Sequence, residues 1–350
     1  MELTRTVGLA DGGRVLGHYL TGELGISSRL LKKLKAHSLI TVNGGVAHTD
    51  FVLSEGDALR IDMGCLSGPA ESIVPERIPL DVLYEDEFLI VVNKQAGLII
   101  HPSAIEGAGT VSNGLAHYYA RTGTSAGIHP ISRLDRNTTG AILFAKDCYT
   151  ADRLARSMRA GAIYKEYLGV VHGAPEPGAG IIDLPLGRVH GSIVLRAVRC
   201  DGRVSRTYYE TVRSAHGMSL LLLSPRTGRT HQLRVHMTAI GHPLLSDGLY
   251  IEPASGMRVR RAAGLSSVSG AAGINCTRGA AVSLPAGTPR TCASPPSMPE
   301  FPEAARIISR QALHSFRLTF THPYTKRAMT IAAPPPPDFM ALINYMSIIP

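Results

Sequence analysis

Short apolar runs separated by polar turns recur along the chain, and none is long enough to cross a bilayer. Leu30 and Leu34 stand one helical turn apart inside Arg29–Lys35, which predicts an amphipathic helix with Ser27 or Ser28 as its N-cap. Its outer face would carry Arg29, Lys32, Lys33 and Lys35. Asn43-Gly44, set between apolar flanks, predicts a hairpin, because both residues tolerate the positive φ of a tight turn. Val52–Asp57 then leads into a short strand over Ala58–Asp62. Two continuous apolar runs, Leu89–Val92 and Leu98–Ile100, predict buried strands on either side of a bend at Asn93–Gly97. Ala141–Ala145 and Leu220–Leu223 read as strands as well. Thr230 can N-cap a helix whose Leu233, Met237 and Ile240 form one apolar stripe, ended by Gly241 and Pro243. Arg234 is then expected to project off that stripe, away from the core.

Two stretches lack any period. Residues 63–82 hold several Gly and Pro and read as a linker, so the expected division is 1–65, a linker over 66–82, and a larger unit over 83–340. Residues 251–306 are rich in Ala, Gly, Ser and Pro with Phe301 as their one aromatic. They read as a disordered insertion or long surface loop. Arg258, Arg260 and Arg261 within it are either RNA contacts or solvated loop residues.

Composition adds a partner class. Lys+Arg number 36 against 27 Asp+Glu, for a net charge of +9, which favours a polyanion. Over residues 1–62 seven basic groups balance seven acidic ones, so the basic helix stands out from a neutral background. That helix is either a solvated face or an RNA-binding one. The five cysteines form no C-x-x-C pair, which argues against a disulfide framework or a cysteine zinc site. With no signal segment, a cytoplasmic location is expected. Nucleotide-loop, dinucleotide and metalloprotease motifs are absent, and His231, His236 and His242 do not share a helical face, so no cofactor and no metal are expected.

The remaining polar clusters sit at the ends of apolar runs. Asp135 lies between Arg133 and Arg136 in a turn-rich segment just before a buried strand. Flanking guanidinium groups favour its ionised form, and an ionised carboxylate beside apolar walls is a competent nucleophile. The alternative is a structural Asp–Arg pair. Arg226, Arg229 and Arg234 around the start of the Thr230 helix suit a phosphate or carboxylate, or are surface arginines.

Ser28-Arg29-Leu30-x-Lys32-x-Leu34, Val42-Asn43-Gly44 and Gly56-Asp57 together resemble the S4-like RNA-binding domain over about residues 13–62. Three further motifs resemble the RluA family of pseudouridine synthases. They are Asn93-Lys94-x-Ala96-Gly97 with His101-Pro102, Arg133-Leu134-Asp135-x-x-Thr138-Thr139-Gly140, and Gly228-Arg229-Thr230-His231-Gln232-Leu233-Arg234-x-His236. The likeness covers about 83–250 and resumes at Arg310–His314. It implies an α+β fold with a mixed, mainly antiparallel sheet and a central cleft, preceded by the small S4-like domain. It implies Asp135 as the catalytic aspartate, Tyr167 as the residue stacked on the target base, and Arg234 as the partner of the aspartate. It implies further that Arg133 fills the space left by the withdrawn uridine, that Leu233 lines the pocket, and that Asn93, Lys94, Arg229 and His231 contact substrate or RNA. Strand alternation puts Tyr167 on the face of Lys165 and opposite Leu168. Gln95 stands where the family commonly has Pro, and Ser132 where many members have His.

The expected reaction is isomerisation of uridine to pseudouridine in RNA, with large-subunit ribosomal RNA as the expected substrate. It needs no metal or cofactor and requires withdrawal of a base from its stack. Whether the aspartate attacks uracil or ribose is open at this level. No obligate protein partner is expected, and a monomer is the default. A rival reading is a non-catalytic ribosomal-RNA-binding or ribosome-assembly factor. A nucleoside glycosidase is a third, weakened because Asp147 is expected to begin a helix and not to serve as a second catalytic carboxylate.

Overall fold

The computed structural model describes residues 2–63, 73–103, 106–251 and 301–347. The first part of the chain comprises β1 (Glu2–Thr6), α1 (Leu16–Gly22), α2 (Ser28–Ala36), β2 (Ile40–Val42), β3 (Gly45–Val46) and β4 (Ala58–Asp62). Its sheet has the order β1-β4-β2-β3. The local signals hold here. Ser27 caps α2 by accepting from Leu30 N at 3.2 Å, and Asn43 and Gly44 turn the β2–β3 hairpin at φ of 52° and 82°. Leu30 and Leu34 are buried, whereas Arg29, Lys32, Lys33 and Lys35 are all exposed.

The larger unit continues with β5 (Asp81–Glu85), β6 (Leu89–Lys94), α3 (Val111–Thr122), β7 (His129–Pro130), β8 (Thr139–Ala145) and α4 (Cys148–Arg159). Next come β9 (Tyr164–His172), β10 (Ala179–Asp183), β11 (Leu186–Arg188), β12 (Arg196–Val198), β13 (Arg206–Ala215), β14 (Met218–Pro225) and α5 (Gln232–Ala239). After residue 300 follow α6 (Pro302–Ile307), β15 (Leu313–Thr321), β16 (Ala328–Ala332) and α7 (Pro337–Ser347). The main sheet runs β10-β13-β14-β9-β15-β8-β6-β5, with β16 on β15 and β7 on β8. All of its pairs are antiparallel except β15–β8, which bears out the expected mixed, mainly antiparallel sheet. Burial on both faces explains the near-continuous apolar runs of β6 and β8, since helices α3 and α4 lie on either side.

Several expectations change. Leu98–Ile100 is no strand and contributes only an isolated bridge between Ile99 and Thr110. The expected linker is partly structural, because Ile73 is buried, Asn113 Nδ2 donates to Val74 O at 2.8 Å, and β5 begins at Asp81. The expected irregular stretch ends earlier than 306, since Phe301 N-caps α6 and Ala304 is fully buried. Its central part, with Arg258, Arg260 and Arg261, lies outside the described residues. The last helix continues beyond 340 to Ser347, burying Leu342 and Met346.

The two sheets meet across α4. Tyr149 is 3% exposed within the N-terminal core, and its hydroxyl donates to Leu24 O at 2.7 Å. Ser27 N donates to Asp152 Oδ2 at 2.8 Å, so the helix cap of α2 is itself tied to the larger unit.

The parallel β15–β8 junction has a tight point. Gly140 sits at φ 109° against Ser315, and a Cβ there would overlap the Ser315 backbone. Gly140→Ala should therefore lower unfolding free energy by about 3 kcal/mol or more. Urea denaturation measures this; an unchanged midpoint would show that the junction can relax.

Candidate active site

The segment between Ile131 and Thr138 is a loop, yet its backbone is held from three directions. Leu134 is 7% exposed and anchors it in the core formed with Tyr167 and Leu233. Lys94, at the end of β6, donates to Arg136 O at 2.7 Å, Gln95 O at 2.8 Å and Leu98 O at 2.9 Å. From the far end of the chain, Arg310 donates to Asn137 O at 3.0 Å and is itself fixed on Asp338 at 2.8 and 3.0 Å. Gln311 Nε2 adds a longer contact to Thr138 Oγ1 at 3.4 Å. Asp135 projects from this braced loop with its side chain 24% exposed.

The arginines that flank Asp135 in sequence do not hold it. Arg133 is exposed and reaches Thr230 Oγ1 at 3.5 Å, while Arg136 turns to Glu106 and Gly97 O. Arg234 approaches instead, with Nη1 at 3.3 Å from Asp135 Oδ2. Its other donors are committed to Asp247, Nε to Oδ2 and Nη2 to Oδ1, both at 2.7 Å. Asp247 is 1% exposed, so this fork-to-fork pair is the rigid half of the arrangement. Burial by itself would lower the Arg234 pKa. The hydrogen bonds from Asp247, then the charges of Asp247 and Asp135, raise it above its ordinary value.

Arg234 was expected to point away from the core, and here the structure differs. It is 5% exposed, because Gln232 through Met237 are all buried and α5 is enclosed on its polar side too. The cap also differs. His231 is the N-cap, at φ 57°, and the first-turn contacts come from Gln232, whose Oε1 accepts from Arg229 N at 3.1 Å and Thr227 Oγ1 at 2.7 Å. Thr230 is left to meet Arg133.

Tyr167 lies on β9, 7% exposed, across from Leu223 on β14 and Ser315 on β15. Burial pushes its phenol up, Ser315 beside it acts the other way, and the Asp135 charge adds to the rise. The ring is thus a neutral wall. Leu233, 6% exposed, closes the same apolar floor. Tyr250 packs beside Arg234. Its ring lies 5.1 Å from the Arg234 guanidinium, and its hydroxyl meets His231 Nδ1 at 2.8 Å while accepting from Arg196 N at 3.1 Å. Burial raises the Tyr250 pKa to about 12 and lowers that of His231, so the phenol donates and the neutral imidazole accepts.

Not every expected contact residue lies open to a ligand. Lys94 is 2% exposed with its donors spent on backbone carbonyls, and Asn93 Nδ2 is used by Asp81 Oδ2 at 3.0 Å and Pro334 O at 3.3 Å. Lys94 thus braces the loop of Asp135, while Asn93 ties β6 to Asp81 on β5 and to Pro334 before α7. Burial, then repulsion from Arg310, bring the Lys94 pKa down to about 7 against the pull of Asp135. Arg229 is exposed, with Nε on Val204 O at 3.2 Å. The α2 cations sit in the N-terminal unit, and Lys33 is near enough to the larger unit to help depress His129, after burial and against Asp147. The sequence assigns no roles to Asp247, Tyr250 and Ser315, and Arg310 enters it only as part of the family likeness, with no role attached. The one signal for Asp247 was an acid in a turn after a helix, which ordinarily marks only the turn. Among the described residues, no group of His, Cys, Asp and Glu could hold a metal ion, and no helix is long and apolar enough to cross a membrane.

A family model described as RNA pseudouridylate synthase matches residues 88–239. The chain is 34% identical over 324 residues to the uncharacterized RNA pseudouridine synthase YjbO of Bacillus subtilis (strain 168), covering 92% of this chain and 96% of that one. It belongs to the RluA family of pseudouridine synthases. Ribosomal large subunit pseudouridine synthase D of Haemophilus influenzae is 34% identical over 273 residues, which is 77% of this chain and 72% of the relative. Among solved structures, human RNA pseudouridylate synthase domain containing 4 has TM-score 0.52 at 21% identity, over 76% of this chain and 93% of its own, a likeness of fold. The chain is therefore an RNA pseudouridine synthase, an isomerase. The family match runs from β6 to α5 and includes Asp135, Tyr167 and Arg234, whereas Asp247 and Arg310 lie beyond it.

Two predictions follow from the charges of this synthase. Asp247→Ala would strand a buried guanidinium and should cost about 3–5 kcal/mol of unfolding free energy. Asp135→Ala, which leaves the Asp247 pair intact, should cost less than about 1 kcal/mol. Equal losses on urea denaturation would contradict that ranking. The second concerns His236, whose Nε2 donates to Leu184 O at 3.0 Å and whose Nδ1 accepts from Thr207 Oγ1 at 2.9 Å. Burial, opposed by the Leu184 carbonyl and the Asp183 charge, pushes its pKa from 6.5 down to about 4. Its neutral form is the one that folds, so its contribution is complete above pH 6.5 and fades as pH falls toward 4, by about 3 kcal/mol. His236→Gln should flatten that part of the pH–stability curve, and an unchanged slope would rule the assignment out.

Proposed function

We propose that this enzyme converts uridine to pseudouridine at a defined position of large-subunit ribosomal RNA, with Asp135 as the nucleophile. The observation that carries this reading is the placement of a partly exposed carboxylate against an apolar wall. Asp135 keeps one guanidinium contact at 3.3 Å, beside the Leu134, Tyr167 and Leu233 floor. Pseudouridine formation breaks the N1–C1′ bond, turns the uracil, joins C5 to C1′, and exchanges the C5 proton for one on N1. No redox change or hydrolysis accompanies it, so a carboxylate, an aromatic wall and a grip on RNA suffice.

In this reading the uridine leaves its stack at a cost of a few kcal/mol and rests on Tyr167. Arg133, exposed at the loop tip, takes the vacated space in the RNA. Arg229 and the α2 residues Arg29, Lys32, Lys33 and Lys35 meet phosphates, and the N-terminal unit acts as an S4-like RNA-binding domain. His231 orients Arg234 through Tyr250. The ribosomal substrate is supported by the relatives whose names state it, the synthase D of Haemophilus influenzae among them. The enzyme acts in the cytoplasm as a monomer, without metal or cofactor.

A glycosidase would need a second carboxylate free to act on water. Asp147 is spent capping α4, accepting from Tyr149 N at 2.9 Å and Thr150 N at 2.8 Å, and Asp247 is locked on Arg234. Tritium release from large-subunit ribosomal RNA transcript labelled at uridine C5 tests the reading. Wild type should release tritium, and Asp135→Ala should reduce release to background. Release that survives the substitution would remove Asp135 as nucleophile. Absence of release by wild type would leave a binding-only role, and free uracil would point to the glycosidase.

A further inference from the structure

Lys165 has no use in the arrangement described so far. It lies on β9 two residues before Tyr167, so both side chains leave the same face of the strand, roughly 7 Å apart along it. The residue is only 9% exposed, yet among the described residues it makes no hydrogen bond and no ion pair. Burial lowers its pKa, and no charged neighbour contributes. The other buried lysines near the sheet are satisfied. Lys94 has its carbonyls, and Lys146 bonds Glu85 Oε1 at 2.7 Å. The stem of Lys165 is buried, but Nζ is not fully enclosed, so the ammonium reaches solvent at the end of a largely desolvated channel, where an anion can approach it.

Its surroundings indicate which anion. A Cβ on Gly228 would lie 3.6 Å from Lys165 Nζ, which puts the ammonium at the loop between β14 and α5. That loop carries the exposed Arg226 and Arg229, and Arg226 stacks 5.0 Å from the rings of both Tyr164 and Tyr208. Cations thus continue from the base wall to the surface along one edge of the cleft. We propose that Lys165 binds a phosphate of the substrate RNA beside the uridine held against Tyr167. This rests on the pseudouridylation reading above and adds to it a buried phosphate grip. In the free enzyme the ammonium has no protein partner among the described residues, and substrate supplies its counter-charge.

The full-length enzyme and its Lys165→Met and Lys165→Arg variants would be assayed for tritium release from the labelled transcript between 50 and 200 mM salt, about the range over which phosphate contacts show most clearly. Lys165→Met should raise KM about tenfold, as expected for loss of one charged hydrogen bond, with kcat little changed. Its log(kcat/KM) should fall less steeply with log salt, by about one phosphate contact. Lys165→Arg should retain most of both. Lys165→Met should also melt slightly higher than wild type, since it removes a partly desolvated charge that no protein group pairs. Unchanged KM and salt slope would overturn the proposal, as would a lower melting temperature with an unaltered slope, the mark of a structural strut. Equilibrium binding of the same transcript, measured without turnover, separates the two readings. If wild type binds but releases no tritium, the salt slope of binding still tests Lys165 while the catalytic reading fails.

Discussion

One guanidinium serves two carboxylates of unequal standing. Asp247, buried and bonded through two short hydrogen bonds, fixes where Arg234 points. Asp135 receives what is left, a single N–H at 3.3 Å. A lysine could not divide itself in this way, because a point charge on a flexible stem would follow the stronger carboxylate and abandon the weaker. The planar fork commits one edge to Asp247 and leaves a corner for Asp135. Much of the local structure serves that geometry. Helix α5 sinks its polar side into the protein, Tyr250 lies over the guanidinium, and Lys94 and Arg310 hold the loop that presents Asp135.

The N-terminal unit was readable because its signals are local. Ser27, Asn43-Gly44 and the Leu30/Leu34 spacing each act within a few residues, and the hairpin and capped helix formed as expected. The active site was readable only where side chains sit in compact motifs, as Asp135 and Arg234 do. Their partners come from segments far along the chain. Nothing within a few residues of Asp135 indicates Asp247, Ser315 or Arg310. Periodicity misjudged Arg234 because an apolar stripe shows which side of a helix meets apolar neighbours, and it says nothing of a polar side enclosed by complementary charge. Lys94 misled in the converse way. The family likeness implied a substrate or RNA contact for it, whereas its ammonium is held by three backbone carbonyls.

The net charge of +9 takes on a definite layout in the fold. The basic face of α2 is carried by a unit whose contacts with the larger one run through α4, where Tyr149 belongs to the N-terminal core although it lies in the other unit's helix. Ser27 both caps α2 and bonds Asp152. The helix that presents the cations is therefore oriented by the same residue that starts it, and the basic surface keeps a set position relative to the main sheet.

The position of β15 carries a consequence for biosynthesis. This strand lies in the middle of the main sheet, between β9 and β8, although it leaves the ribosome well after both of them. Ser315 on it backs Gly140 and Tyr167, and Arg310 just before it ties down the loop of Asp135. The N-terminal unit can close its own sheet once β4 has emerged, but the two halves of the larger sheet must wait for a strand about 170 residues after β8 (order of magnitude for a non-local pairing). During that interval the edges of β8 and β9 are unpaired. The same late strand that completes the sheet also assembles the reactive loop, so a chain cut short before it has the sequence motifs and lacks the site.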